Sequence, residues 1–230
     1  MKWLTFVVII SKLIQILSSP IKVDTERNHL VDEKGRDVFF HGVNIVYKIP
    51  PFIPQTDKFD PTHSFSIEDI QFLKEMGMNI IRLGVQWPGV EPNKGEFNQT
   101  YIDGIKSIVK NCKENGIFTL LDFHQDILSE KFCGEGIPKW AVKPAYFTLP
   151  FPLPLQLSSF TLDSEGVPSK EDCKKHDWVS YHASMKLSSA FQSLYSNVDG
   201  IQDDFGVFWR KVAEEFIILD LYKVLPHNLK

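Results

Sequence analysis

Apolar and polar positions along this chain follow a strand–helix rhythm that starts near Val38, continues past Phe118 and then breaks. Val38 to Val46 reads as a strand. A turn at Asp32-Glu33-Lys34-Gly35 precedes it, and the segment before that is expected to pair locally as a small hairpin. Residues 47–65 contain Pro50, Pro51, Pro54 and Pro61 and read as loop. Ser66 then caps a predicted helix with Ile67, Ile70, Leu73 and Met76 on its apolar face, and Gly77 closes it. Met78 to Val85 is a second strand, in which Ile80, Arg82 and Gly84 share a face. After a loop with Trp87, Pro88 and Pro92, Ile102, Ile105, Ile108, Val109 and Cys112 recur at helical spacing, and Gly116 ends that helix. The stretch from Phe118 to Asp126 is a third strand, whose period of two places Leu120, Asp122, His124 and Asp126 together.

Strands alternating with helices at this spacing imply right-handed βαβ units and a parallel sheet, hence an α/β fold. Residues 127–176 interrupt the rhythm with a proline-rich excursion, long enough to be either functional or poorly ordered. Helical patterning resumes with Trp178, Tyr181, His182, Met185, Phe191 and Leu194. A stripe of Phe205, Phe208, Trp209, Val212, Ala213 and Phe216 continues it. No internal repeat is present.

The 230 residues, 43% of them hydrophobic, suit one good-sized globular domain. A net charge of −4 with scattered Lys and Arg gives no electrostatic footprint for nucleic acid. Residues 1–19 read as a secretory signal: Lys2 starts it, Leu4–Ile10 and Leu13–Leu17 are apolar, and Ser18 and Ser19 supply small residues for cleavage. An uncleaved anchor is the second reading and a buried core segment the third. The expected location is therefore secreted, extracellular or lysosomal. Cys133 and Cys173 lie in polar, loop-like sequence and form the natural disulfide pair, worth roughly 3–4 kcal/mol by loop entropy. Cys112, on a helical apolar face, is expected to be a buried thiol. Asn98-Gln99-Thr100 is the sole N-glycosylation sequon and makes Asn98 the candidate acceptor.

The third strand changes from apolar to ionisable within one step, which is how a β/α barrel builds its active sites at the C-terminal ends of its strands. Arg82, facing a barrel interior, needs a carboxylate. It either pairs with Asp122 on the neighbouring strand or holds a catalytic carboxylate in place. His124 and Asp126 offer the donors and acceptors that sugar hydroxyls require. They are also two of the three ligands a metal needs, and no second His cluster supplies the third, so no metal is expected. Trp87 and Trp140 are loop tryptophans that either stack on sugar faces or pack on their own scaffold.

His41-Gly42-Val43-Asn44, the run Gly77-Met78-Asn79-Ile80-Ile81-Arg82-Leu83-Gly84-Val85-Gln86-Trp87, and Asp122-Phe123-His124-Gln125-Asp126 together resemble endoglycoceramidases, members of the fifth family of glycoside hydrolases. Glu91-Pro92-Asn93-Lys94-Gly95 and Phe208-Trp209 fit as well, and the likeness runs from about residue 25 to residue 216. The resemblance implies a (β/α)8 barrel that cuts the β-glycosidic bond between oligosaccharide and ceramide with retention. It also implies a monomeric full-length enzyme without cofactor, and Lys48, His124 and Asp126 as substrate-binding residues, with Arg82 in support. The partner implied is a glycosphingolipid or another β-glycoside, with peripheral membrane-lipid contact left open.

Such retention needs two glutamates about 5 Å apart. In the family the first follows an asparagine at the end of the fourth strand, and no Asn-Glu pair occurs here. The expectation is thus a partial barrel over residues 20–216, a divergent tail at 217–230, and no activity from this chain alone. The partial sheet is expected to leave the isolated product poorly soluble or dependent on chaperones. The apolar stretch 147–155 either meets a lipid tail or packs on the scaffold. Two other classes stay open: a secreted non-catalytic glycan- or glycolipid-binding fragment, and a metal-dependent hydrolase of another barrel family.

Overall fold

The computed structural model describes residues 21–143 and 150–217. The expected signal segment, the start of the apolar stretch 147–155 and the tail beyond residue 217 lie outside the described residues. Strands β1 (Lys22–Asp24) and β2 (His29–Val31) form the expected small antiparallel hairpin. Strands β3 (Gly42–Ile45), β4 (Ile80–Val85) and β5 (Phe118–Phe123) form a parallel sheet in the order β3-β4-β5. Its register sets Asn44 against Arg82 and Gly84 against Asp122. The α-helices are α1 (Ile67–Glu75), a single turn α2 (Trp87–Val90), α3 (Gln99–Glu114), another single turn α4 (Lys170–Cys173), α5 (Met185–Tyr195) and α6 (Ile201–Ile217).

One face of β4 explains why the helices cover the sheet. Ile81, Leu83 and Val85 are buried there and share a core with Ile102, Ile105, Ile108, Val109 and Cys112 of α3. Burying an aliphatic side chain of this size contributes roughly 1.5–3 kcal/mol, so the two runs of regularly spaced residues hold β4 and α3 together. Cys112 is fully buried, and its burial pushes the thiol up to about 12, partly offset by the Thr119 hydroxyl. Helix α6 completes the layer: Phe205 and Phe208 pack on Phe123 of β5 and on Trp87. Ion pairs from Lys94 to Asp204 and from Lys106 to Glu215 then tie α6 to the segments around α3. The opposite sheet face carries Ile80, Arg82, Leu120 and Asp122 and is partly open, with Leu120 54% exposed.

Helix ends match their chemistry. Gly77 and Gly116 take positive φ just past α1 and α3, a conformation that costs glycine least. Ser66 donates its backbone N–H to Asp69, which sits three residues into α1. Asn98 caps α3, its side-chain oxygen accepting from the Tyr101 N–H at 3.1 Å. Asn98→Ala is expected to cost about 1 kcal/mol in chemical denaturation, whereas Asn98→Asp keeps the acceptor and should cost almost nothing.

Four expectations need correction. The first parallel strand is shorter than Val38–Val46, because the Asn79 side chain, not a neighbouring strand, satisfies the Phe39 carbonyl and His41 N–H, at 2.7 and 2.8 Å. Phe39 is consequently exposed. Ile67 and Met76 point to solvent, so the buried face of α1 is only Ile70 and Leu73. Ala213 is exposed on α6 and lies off the apolar stripe. Trp87 opens a buried helical turn instead of sitting in a loop. Among the described residues, no helix is long and apolar enough to cross a membrane.

Candidate functional site

The chemistry gathers where β3, β4 and β5 end, because parallel strands bring their C-terminal extensions to one edge. Arg82 and Asp122 lie on the same face of adjacent strands, and Gly84 places no side chain beside Asp122. The guanidinium reaches the Asp122 carboxylate at 2.7 Å. Of the two readings for Arg82, the described residues contain the pair with Asp122.

Asp122 is also the first contact of His124. The imidazole Nδ1 lies 3.2 Å from Asp122 Oδ2, and Nε2 lies 3.3 Å from Asp126 Oδ2. The alternation of β5 therefore continues beyond its last hydrogen-bonded residue and sets Asp122, His124 and Asp126 in line. A neutral imidazole carries one N–H, so it satisfies only one of these carboxylates as a donor.

Lys48, three residues past β3, closes the group. Its ammonium bonds Asp126 and lies 3.1 Å from Glu135 Oε1. Burial works against the charged ammonium, yet the bonds to Asp126 and Glu135 prevail and hold its pKa above the ordinary lysine range. Burial likewise opposes ionisation of Asp126. The Lys48 bond and charge outweigh it and keep that carboxyl below the usual range. The signs give a two-sided pH window. The Asp126 contribution is complete above pH 3.8 and fades as pH falls through its lowered folded value. The Lys48 contribution is complete below pH 10.5 and fades as pH rises through its raised folded value. Glu135 runs the other way: burial raises its pKa, so its ionised form costs stability and protonation relieves the cost.

The structure thus brings together Lys48, His124, Asp126, Asp122 and Arg82, all expected from sequence. It adds two residues that sequence reasoning missed as site residues. Glu135 comes from the excursion after β5, and Trp178, 56% exposed, places its ring 5.9 Å from the Lys48 ammonium. A Gly-Glu-Gly tripeptide, a mark of close backbone approach, was the available signal for Glu135. The Cys133–Cys173 bridge is formed, with Cα atoms 5.4 Å apart. Asn98 is exposed.

Of the two readings for Trp87 and Trp140, the structure shows packing on the scaffold. Trp87 is fully buried, stacks on Phe208 at 5.3 Å and donates its indole N–H to Glu91 at 2.8 Å. Trp140 meets Trp87 edge-on and bonds the Glu91 carbonyl.

Glu135 also supplies the third metal ligand that the sequence lacked. Among the described residues, His124, Asp126 and Glu135 present ligand atoms within 4.8 Å of one another. The Lys48 ammonium already serves as the cation between the two carboxylates. Lys48→Ala is therefore expected to bind Zn2+ more tightly than the parent chain in isothermal titration; equal affinities would show that the ammonium does not hold that position.

The family model described as cellulase (glycosyl hydrolase family 5) matches residues 31–221. The endoglycoceramidase of Hydra vulgaris is 46% identical over 197 residues, which cover 85% of this chain and 38% of that protein. The endoglycoceramidase of Cyanea nozakii is 43% identical over 201 residues, with 85% and 39% covered. The chain spans about two fifths of the length of these curated relatives. Endo-glycoceramidase II from Rhodococcus sp., solved as a ganglioside GM3 complex, matches with a TM-score of 0.58 at 23% identity. That match covers 82% of this chain and 39% of the other and shows the shared fold.

Proposed function

Because the chain belongs to the cellulase-type family 5 of glycosyl hydrolases, we propose that it carries the sugar-gripping strands of a glycosidase of endoglycoceramidase type. The bond at issue is the β-glycosidic link between oligosaccharide and ceramide. One observation supports this most: Lys48, His124 and Asp126 converge at the C-terminal strand ends, alternating donors and acceptors along one edge. Hydroxyl groups need both, and the exposed Trp178 ring beside Lys48 offers an apolar face for a sugar ring.

The chemistry calls for an acid/base and a nucleophile glutamate. In residues 1–230 no glutamate follows an asparagine. Glu214 is exposed on α6, and Glu215 is engaged by Lys106 and Lys211. Residues 1–230 by themselves thus bind glycan and do not hydrolyse it. A disulfide and an exposed sequon support passage through an oxidising, secretory route.

The test is direct. The purified 230-residue chain is incubated with a fluorescent glycosphingolipid, and both binding and released oligosaccharide are followed. Binding without release is expected. Release would overturn the expectation that residues 1–230 do not hydrolyse glycan, and absence of binding would overturn the sugar site itself. A second reading, a metal-dependent hydrolase, is favoured only by the His124–Asp126–Glu135 triplet; it requires turnover that chelator and His124→Ala both abolish.

A further inference from the structure

Glu135 sits outside the regular strand–helix pattern, yet the chain goes to some length to place it. Its N–H and carbonyl exchange hydrogen bonds with those of Asp126, at 2.8 and 2.9 Å, forming an isolated antiparallel bridge. Glycines flank it, and neither position has room for a side chain. A Cβ at Gly134 would strike the Asp126 carbonyl, and one at Gly136 would strike Gln125 and the Leu128 carbonyl. The Ile137 N–H bonds Leu128 and the Gly134 N–H bonds Ser129, which folds the segment tightly back on itself. Cys133, two residues before Glu135, is bonded to Cys173. The Cys173 carbonyl in turn accepts from the Tyr181 hydroxyl at 3.0 Å, within the 3-10 turn that also carries Trp178. One covalent bridge thus joins the segment holding Glu135 to the segment holding Trp178.

The side chain repeats the message of the backbone. Glu135 is 15% exposed, lies 3.1 Å from the Lys48 ammonium and 3.8 Å from His124 Nε2. An isolated buried carboxylate is costly, so the position needs a compensating purpose or partner. Lys48 is that partner, and it is shared with Asp126.

We propose that Glu135 is a positioning residue of the sugar site, holding Lys48 beside Asp126 and restricting the adjoining subsite to a neutral, hydroxyl-bearing saccharide. The proposal rests on the glycoside reading of this site. Lys48 carries four rotatable side-chain bonds, and a single carboxylate partner would leave its ammonium free to swing. A second carboxylate, Glu135, 3.1 Å from the ammonium, limits that swing. Among the described residues of the cluster, the carboxylates of Asp122, Asp126 and Glu135 face the cations Arg82 and Lys48. The excess of carboxylate repels an anionic sugar while leaving acceptors for hydroxyl groups.

The experiment uses the 230-residue chain and free lactose as a neutral probe, with a sialylated lactose as the anionic counterpart. Glu135→Gln is expected to weaken lactose binding about tenfold, the loss of one charge-assisted contact. It should narrow the preference for lactose over the sialylated sugar and broaden the side-chain ammonium signal of Lys48 in nitrogen-detected NMR. Thermal unfolding serves as the control for a merely structural effect. If Glu135→Gln binds both sugars as the parent does while Lys48→Ala loses lactose, the proposal is overturned and the glycoside reading stands. If the parent binds neither sugar, both fall together. The parent also gives a test without substitution: the Glu135 carboxyl carbon signal must move with the Lys48 ammonium on lactose addition. A Glu135 signal that stays still while Lys48 responds overturns the proposal even if every variant misfolds.

Discussion

Cys133→Ser with Cys173→Ser is expected to lower the unfolding free energy by roughly 3–4 kcal/mol. The bridge closes a loop of sequence separation 40, and opening it returns that conformational freedom to the unfolded chain. Among its described residues one 3-10 turn, Lys139–Ala141, one helical turn and three aromatic neighbours of Phe151 hold the loop. Phe132, Phe151, Phe160 and Tyr181 form an aromatic cluster, and the Tyr181 hydroxyl donates to the Cys173 carbonyl. Part of the stability therefore survives, and the excursion should loosen before the sheet does. Urea titrations of oxidised and reduced chain give the difference directly. Coincident midpoints would show that the aromatic cluster alone fixes the excursion. Lactose affinity should fall in parallel, since Glu135 and Trp178 reach the site from the two sides of this bridge.

Asp122→Ala carries the second large effect. Among the described residues, Asp122 is the one carboxylate that touches both Arg82 and His124, so its removal strands the guanidinium and leaves the imidazole Nδ1 without its partner. Buried pairs lose several kcal/mol when one partner is deleted, but Arg82 is 38% exposed and water relieves part of that loss. A destabilisation of about 1–2 kcal/mol is expected, with Asp122→Asn in between because the amide oxygen still accepts from Arg82. Glycan binding should suffer more than stability, because His124 loses its 3.2 Å contact with Asp122. The combined Arg82→Met/Asp122→Leu replacement removes both partners and should recover much of the stability while leaving binding lost. A double replacement as unstable as Asp122→Ala would show that the pair is a net contributor to folding.

Much of this arrangement is legible in the residues, for reasons that also mark where legibility stops. Helix α3 is read correctly to its last buried position, because Ile102, Ile105, Ile108, Val109 and Cys112 repeat with a period that only one structure satisfies. Likewise, the alternation of β5 predicts that Asp122, His124 and Asp126 meet, and they do. Trp87 is misread for a local reason: it stands between polar Gln86 and Pro88, and its burial comes from Phe208 on a helix far along the chain. No window of neighbouring residues contains that information. Glu135 is harder still. It reaches Lys48 through a bridge to Asp126, two crowded glycines and a disulfide, none of which has a repeat. The overlong first strand has a similar origin, since Val38 to Val46 is apolar enough to extend further, and a single side chain, Asn79, takes its bonds away.

The lone thiol of Cys112 gives the fold a clock of its own. No reagent in solution can touch the sulfur while α3 lies on β5, and with its proton held so firmly the group would react slowly even if grazed. Modification by a coloured disulfide reagent must wait for the helix to lift. The rate of colour development, compared with that of a free cysteine peptide, therefore measures how often the β4–α3–β5 unit opens under native conditions, with no denaturant.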